Sequence, residues 1–277
     1  MKVGVVLVTY NPNIDLVSRF VKHIDKYVDH IIVVDNSKIN YDLENLLSGK
    51  KNTIILNRSN RGIAEAQNQG IKYAIEIGMD NVFIFDQDTK INDAFVSKMI
   101  HAFNSMNFKE RIACVGPNYE DINNNTIDAI EKDFIIASGS LYNVSIFDKV
   151  GYFKSEWFID LIDVEWCHRA KKHGYKSYQI QNIKMEHNID DNDYPTLFGK
   201  QVRIGSPVRQ YYLIRNWILS LKSNSFSLKF KIKTMYYLCH KPIIFLLCSP
   251  RKTRFKYIIR GFKDGLCNIT GEFKERE

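Results

Sequence analysis

Val82-Phe83-Ile84-Phe85-Asp86-Gln87-Asp88 is an apolar run that stops on two carboxylates. Four consecutive apolar residues, two of them aromatic, have the length of a buried strand in a parallel sheet. In extended chain, residues two apart point the same way, so Asp86 and Asp88 aim together at one spot beyond the strand. Open α/β sheets bind ligands along that C-terminal edge. Two hard oxygen ligands there suit Mg²⁺ or Mn²⁺, which one or two carboxylates hold together with a substrate's phosphates. Taken alone, the pair reads equally well as a strand-end turn. A second Asp-x-Asp, Asp191-Asn192-Asp193, follows no strand-like run and reads as a solvated loop.

The flanking sequence alternates between strand-like and helix-like segments. Strands fit at Lys2–Val8, His30–Asp35, Thr53–Asn57, Asn81–Asp86 and Ile112–Val115. Ile14, Val17, Val21, Ile24 and Val28 recur at helical spacing between the first two. Further helices fit from Ile63 to Ile77, stopped by Gly78, and from Asp93 to Met106. This alternation predicts an α/β fold with a mostly parallel sheet flanked by helices. After Gly116-Pro117 the pattern changes, and Asp121–Asn125 reads as a hairpin tip between two strands. Ser138-Gly139-Ser140 leads into a short helix, and residues 160–173 make another, ended by Gly174. The boundaries expected are one domain over 1–220, with an alternating α/β half to 116 and a less regular half from 117, then a basic amphipathic helical tail over 221–277.

That tail is the main feature of the composition. The 277-residue chain carries a net charge of +8, yet residues 194–263 hold fifteen Lys/Arg and no Asp or Glu. An acidic N-terminal body therefore precedes a basic, aromatic-rich C-terminal third. From Phe226 the apolar residues fit a strand period and a helix face alike; helix is favoured because the pattern outruns ordinary strand length. Ile243–Cys248 is far short of the ~20 apolar residues a spanning helix needs. Five scattered cysteines, with no C-x-x-C pair, fit a reducing compartment and no structural zinc. Asn11-Pro12-Asn13 interrupts the opening apolar run, so that run reads as a first strand, not a signal peptide.

Other polar clusters fall just past strands. They are Thr9-Tyr10-Asn11, Asp35-Asn36-Ser37, and Asn60-Arg61-Gly62 running on to Asn68. Each alone is an ordinary turn or cap, but together they converge on the edge that carries Asp86 and Asp88. Gly62, Ala64 and Ala66 leave room for a ligand or a neighbouring segment to approach the helix start. A separate acidic group, Asp160, Asp163 and Glu165, sits among Trp157, Phe158 and Trp166.

With these motifs in this order, the chain resembles the inverting family-2 glycosyltransferases of the GT-A (nucleotide-diphospho-sugar transferase) fold, in a bacterial rhamnosyltransferase-like branch. The matching stretches are Val8–Asn11, Val33–Ser37, Asn60–Asn68, Asp86-Gln87-Asp88, Ser138-Gly139, Phe158–Trp166 with Arg169, His187 and Arg215-Asn216. The resemblance implies that Thr9, Tyr10, Asn11, Asp35 and Asn36 contact the nucleoside. It puts Asn60, Arg61, Gly62 and Asn68 beside the nucleotide, and Gln87 within the donor motif. Asp88 would ligate Mg²⁺ or Mn²⁺ directly, with Asp86 on the ribose and metal side and His187 as a further ligand. Asp163 falls at the family's acid–base position, although Ile162 replaces the usual Glu before it, so Asp160 stays a competitor. Arg215 and Asn216 would lie near the diphosphate or acceptor, or serve helix packing.

The implied reaction is transfer of L-rhamnose from a dTDP donor to a lipid-linked precursor of a surface polysaccharide. The enzyme would lie peripherally on the anionic cytoplasmic face of a bacterial plasma membrane. A UDP-hexose or UDP-galactofuranose transferase is the nearest alternative. A nucleotidyltransferase would want a Gly-rich, cationic loop after strand one, which Thr9–Asp15 lacks. A pure binding module would have no use for an acid beside a metal site. The basic tail could meet nucleic acid or anionic membrane, and nothing in it resembles a nucleic-acid module.

Overall fold

The computed structural model describes residues 1–43, 47, 51–119, 129–185, 196–197, 200–201 and 204–275. Its frame is an eight-stranded sheet in the order β3-β2-β1-β4-β7-β5-β8-β6. The strands are β1 Val3–Thr9, β2 His30–Asp35, β3 Asn52–Leu56, β4 Asn81–Asp86, β5 Ile112–Asn118, β6 Ala129–Lys132, β7 Ser140–Asn143 and β8 Lys176–Lys184. A small ribbon, β9 Thr196–Leu197 with β10 Lys200–Gln201, stands apart. The β3-β2-β1-β4 half is parallel throughout. Beyond it, β7 runs antiparallel to both β4 and β5, joining the two halves into one sheet.

Helices cover both faces, which is why β1, β2 and β4 are continuous apolar runs with no polar alternation. The helices α2 Ile63–Glu76 and α5 Ile162–Lys172 pack on the face lined by Val6, Ile32 and Ile84. On the opposite face α1 Ile14–Ile24 and α3 Phe95–Ser105 cover Val5, Leu7, Phe83 and Phe85. Asn13 caps α1 through a bond from Leu16 N at 3.3 Å. That helix ends at Ile24, so Val28 is buried just beyond it and not within it.

Two corrections concern the middle of the chain. β5 and β6 flank the expected hairpin but do not pair: β8 lies between them, parallel to β5 and antiparallel to β6. Gln179 on β8 stands opposite Gly116 on one side and Ile130 on the other. A late strand thus inserts between two earlier ones, which local turn chemistry cannot reveal; the tip itself, 121–125, lies outside the described residues. The helix expected from residue 160 begins at Ile162, because Asp160 and Leu161 are left-handed, at φ 64° and 62°.

The segment after Phe226 is helical, as favoured. α6 Pro207–Lys222, α7 Leu228–Leu247 and α8 Arg251–Leu266 pack together, with a four-residue helix, α4 Phe147–Val150, earlier in the chain. Gly261 permits the closest approach: a Cβ there would stand 2.8 Å from Tyr211 O on α6. Among the described residues no helix is long and apolar enough to cross a membrane.

Candidate active site

Strands β1, β2 and β4 end side by side and hold their terminal polar groups in register. Thr9 pairs with Asp35, and Val8 with Asp86, across adjacent strands. Buried Asp35 is fixed through Oδ1, which accepts from Thr9 Oγ1 and from Ser37 Oγ, both at 2.7 Å. Ser37 Oγ in turn accepts from Asn11 N at 2.8 Å. Asn36 Nδ2 donates to Gly62 O at 3.0 Å, and Asn60 Oδ1 accepts from Gly62 N at 3.0 Å. Gln87 reaches sideways to the main chain of Tyr10: its Oε1 accepts from Tyr10 N at 2.8 Å and its Nε2 donates to Tyr10 O at 3.1 Å. The Tyr10 ring stays half exposed. Thr9, Tyr10, Asn11, Asp35, Asn36, Asn60, Gly62, Asp86 and Gln87 therefore belong to one edge. Exposed Arg61 adjoins it and lines, with Thr270–Glu272, a cavity of about 430 Å³.

The acids gather at the same edge. Asp86 is pushed up to about 6, by burial first and then by the like charges of Asp88 and Asp163. Asp163 in the first turn of α5 accepts from Ala137 N at 3.1 Å and from Val164 N at 2.8 Å. Burial raises its pKa, those backbone N–H groups oppose the rise, and Asp160 adds to it. Asp160 is also raised by burial, against the pull of Arg209, whose Nε donates to its Oδ1 at 3.2 Å. Its Oδ2 has no hydrogen-bond partner. Two acid pairs more than seventy residues apart in sequence thus sense one another.

A cation fits this arrangement. Like charges around Asp86 disfavour its ionised form, and a divalent ion between Asp86 and Asp88 would reverse that. Among the described residues no three His, Cys, Asp or Glu side chains form a ready-made cage. Mg²⁺ or Mn²⁺ held by one or two carboxylates and substrate phosphates needs none. His187 lies outside the described residues, as does Asp191/Asp193.

Two expected donor contacts are committed elsewhere. Asn68 is buried, with Nδ2 donating to Phe153 O at 2.8 Å and Oδ1 accepting from Phe153 N at 3.0 Å, so it braces α2. Arg215 is wholly buried: Nη1 donates to Gly271 O at 2.6 Å and Nη2 to Trp157 O at 2.7 Å. Its guanidinium lies on the Tyr211 and Tyr212 rings, so here it packs α6 against the loop at Trp157 and the C-terminal segment at Gly271. Asn216 Nδ2 donates to Ile159 O at 2.7 Å and Asp160 O at 2.9 Å. Glu165 is likewise buried, bound by Arg169 at 2.9 Å and by Ser225 Oγ at 2.6 Å.

Arg215 and Asn216 hold a loop whose backbone is unfavourable. Phe158, Asp160 and Leu161 all have positive φ, which costs non-glycine residues of order 1–3 kcal/mol each. The same loop fills the space beside α2: a Cβ on Gly62, itself at φ +83°, would lie 2.7 Å from Phe158 O. The segment that approaches this helix start is thus the chain itself.

The sequence left Tyr119 and Arg209 without roles. The Tyr119 hydroxyl donates to Ser138 O, and burial with the charges of Asp86 and Asp163 pushes its pKa upward. Ser138 Oγ accepts from Asp86 N at 3.2 Å and bonds Thr89 Oγ1 at 2.9 Å. Only Ser138, within the matched Ser138-Gly139 pair, left a signal in the sequence.

Comparison with known proteins follows the same line. The profile described as "Glycosyl transferase family 2" matches residues 4–132. The dTDP-rhamnosyl transferase RfbF of Shigella flexneri is 32% identical, over 96% of this chain and 96% of that relative. The low-salt glycan biosynthesis hexosyltransferase Agl10 of Haloferax volcanii is 23% identical, over 70% of this chain and 69% of its own. Among solved structures, S. aureus TarS 1–349 in complex with UDP-GlcNAc superposes with a TM-score of 0.61 at 13% identity, over 97% of this chain and 82% of that one. GalNAc-T7 with UDP, GalNAc and Mn²⁺ gives 0.59 at 13% identity, over 97% of this chain and 56% of that one. Both carry the GT-A fold, and this chain has it.

Proposed function

The chain belongs to glycosyl transferase family 2, and on that premise we propose that it transfers L-rhamnose from dTDP-rhamnose, with inversion, to a lipid-linked precursor of a surface polysaccharide. The observation that carries this reading is the convergence of two acid pairs at one strand edge, Asp86 with Asp88 and Asp163 with Asp160. The rhamnosyl donor rests on the likeness to the RfbF transferase over nearly the whole chain.

Thr9, Asp35 and Tyr10 bind the nucleoside, and Asp86 and Asp88 would hold a Mg²⁺ or Mn²⁺ ion. When bound, that ion offsets the charge that builds on the departing diphosphate. Asp163 takes the acceptor hydroxyl's proton as its oxygen attacks the anomeric carbon, while the bond to the diphosphate breaks and its electrons leave with the phosphate oxygen. Burial suits Asp163 to this work, because a raised pKa makes a carboxylate a stronger base. Asp160, two residues before the helix, orients the acceptor or takes the base role itself. A UDP-hexose donor is the second reading, favoured by the hexosyltransferase relative and by the UDP-GlcNAc and the UDP held in the two neighbouring structures.

Incubation with a panel of nucleotide sugars, with and without EDTA, tests the proposal. dTDP-rhamnose should be hydrolysed or transferred fastest, and EDTA should abolish turnover. Turnover of a UDP sugar alone would select the second reading. Absence of binding to any nucleotide sugar with Mg²⁺ or Mn²⁺ present would end both.

A further inference from the structure

α7 carries an apolar stripe that faces outward. Leu228, Ile232 and Met235, then Ile243 and Leu247, follow three- and four-residue steps with exposed Cys239 between the two groups, and the five are exposed from 41% to 74%. The side turned to the protein buries only Thr234, Pro242 and Phe245. Phe255 and Ile259 repeat the pattern on α8, at 54% and 50% exposed. Nine of the seventeen large apolar residues exposed among the described residues fall between 228 and 266. Exposed apolar residues scattered singly are ordinary, but a continuous stripe signals something that covers it.

Charge selects the cover. Exposed Lys229 and Lys233 stand beside the stripe on α7, and exposed Lys252, Lys256 and Lys263 beside that on α8. No Asp or Glu occurs from 194 to 263, and Asp264 is buried and paired with Arg260 at 2.9 Å. A copy of the same face brought against it would set lysine against lysine. We infer that α7 and α8 lie flat on an anionic lipid surface, with Leu228, Ile232, Met235, Ile243 and Leu247 sunk among the acyl chains and the flanking lysines at the headgroups. The 20-residue α7 gives a contact line about 30 Å long, and apolar burial joined to basic charge is the two-part signal that reversible anchoring requires. The inference deepens the proposed function by naming the face that meets the membrane holding a lipid-linked acceptor.

Co-sedimentation of the full chain with vesicles tests it without any transfer assay. The wild-type protein should bind vesicles of phosphatidylglycerol mixed with phosphatidylcholine at low salt, and binding should fall at least tenfold on phosphatidylcholine alone. Ile232→Glu with Ile243→Glu should also lower binding at least tenfold. Both positions are solvent-exposed, so an unchanged melting temperature and unchanged nucleotide-sugar affinity check that the fold survives. Lys229→Gln with Lys233→Gln should weaken binding and flatten its salt dependence. Equal binding by the glutamate variant, or a wild-type dimer that the glutamate pair dissociates in the absence of vesicle binding, would overturn the inference. Vesicle binding without affinity for any nucleotide sugar would leave it standing and remove the proposed function.

Discussion

Asp86 and Asp160 are two acids of one cleft held by opposite means. Asp86 ends a central strand, and its position follows from the pairing of β4 with β1. Asp160 lies in a left-handed bend, and its carbonyl is fixed by Asn216, from a helix more than fifty residues later. The first acid is placed by the sheet's regular geometry and the second by buried polar side chains that oppose local backbone preference. Precision at the sheet edge comes with the fold, while precision in the bend depends on a few hydrogen bonds. The two regions should therefore fail in different ways.

The largest effect expected is at the proton acceptor. Asp163→Asn should lower turnover by about 10³-fold with donor affinity unchanged, whereas Asp160→Asn should cost about tenfold by the same measure. Single-turnover assays of both variants check the assignment, and wild-type turnover by Asp163→Asn, or a reversed order, would end it. Asn216→Ala attacks the bend through its support. Freed carbonyls at Ile159 and Asp160 should destabilise the fold by about 2 kcal/mol, and a loosened loop should cut turnover by roughly 10- to 100-fold. Nucleotide affinity should hold, so a split between kcat and donor Kd separates misplacement of the loop from general unfolding.

The smallest effect belongs to the sheet edge and depends on pH. The pKa of Asp86 is raised from 3.8 to about 6. The folded state therefore retains a proton that the unfolded chain loses. Stability contributed by this group is present below the unfolded value and lost as pH rises through 6. Metal-free Asp86→Asn should thus melt higher than wild type at pH 8, by about 2 kcal/mol, and by almost nothing near pH 4. Thermal melts across that range in EDTA measure it. A constant difference would mean that ionisation of Asp86 is not what strains the edge.

The contrast also explains what the sequence made legible. Strand-end positions could be read because apolar runs mark where strands stop and a period of two tells which residues share a side. Thr9, Asp35, Asp86 and Asp88 followed from those rules. Arg215 could not be read in this way. A cation in a matched motif suggests a phosphate, and only the fold reveals that Trp157 O and Gly271 O surround it. The partner of Asn68 was hidden for the same reason, since its amide faces Phe153, eighty-five residues away. The insertion of β8 between β5 and β6 is a matter of long-range pairing and leaves no mark at the turn it displaces. Tyr119 became visible only when the fold set it against Ser138.

Gln87 sits between the two carboxylates of Asp86-Gln87-Asp88, yet its own amide grips the main chain of Tyr10 from both sides. The strand that would carry the cation and the loop that would meet the base are therefore tied together by two hydrogen bonds. Whatever immobilises one end would reduce the entropy lost in occupying the other, so ion and nucleotide would share a coupling free energy. Linkage makes that coupling reciprocal. Cation and donor would raise each other's affinity by the same factor, and an amide read in the sequence as part of the donor motif would be the part that transmits it.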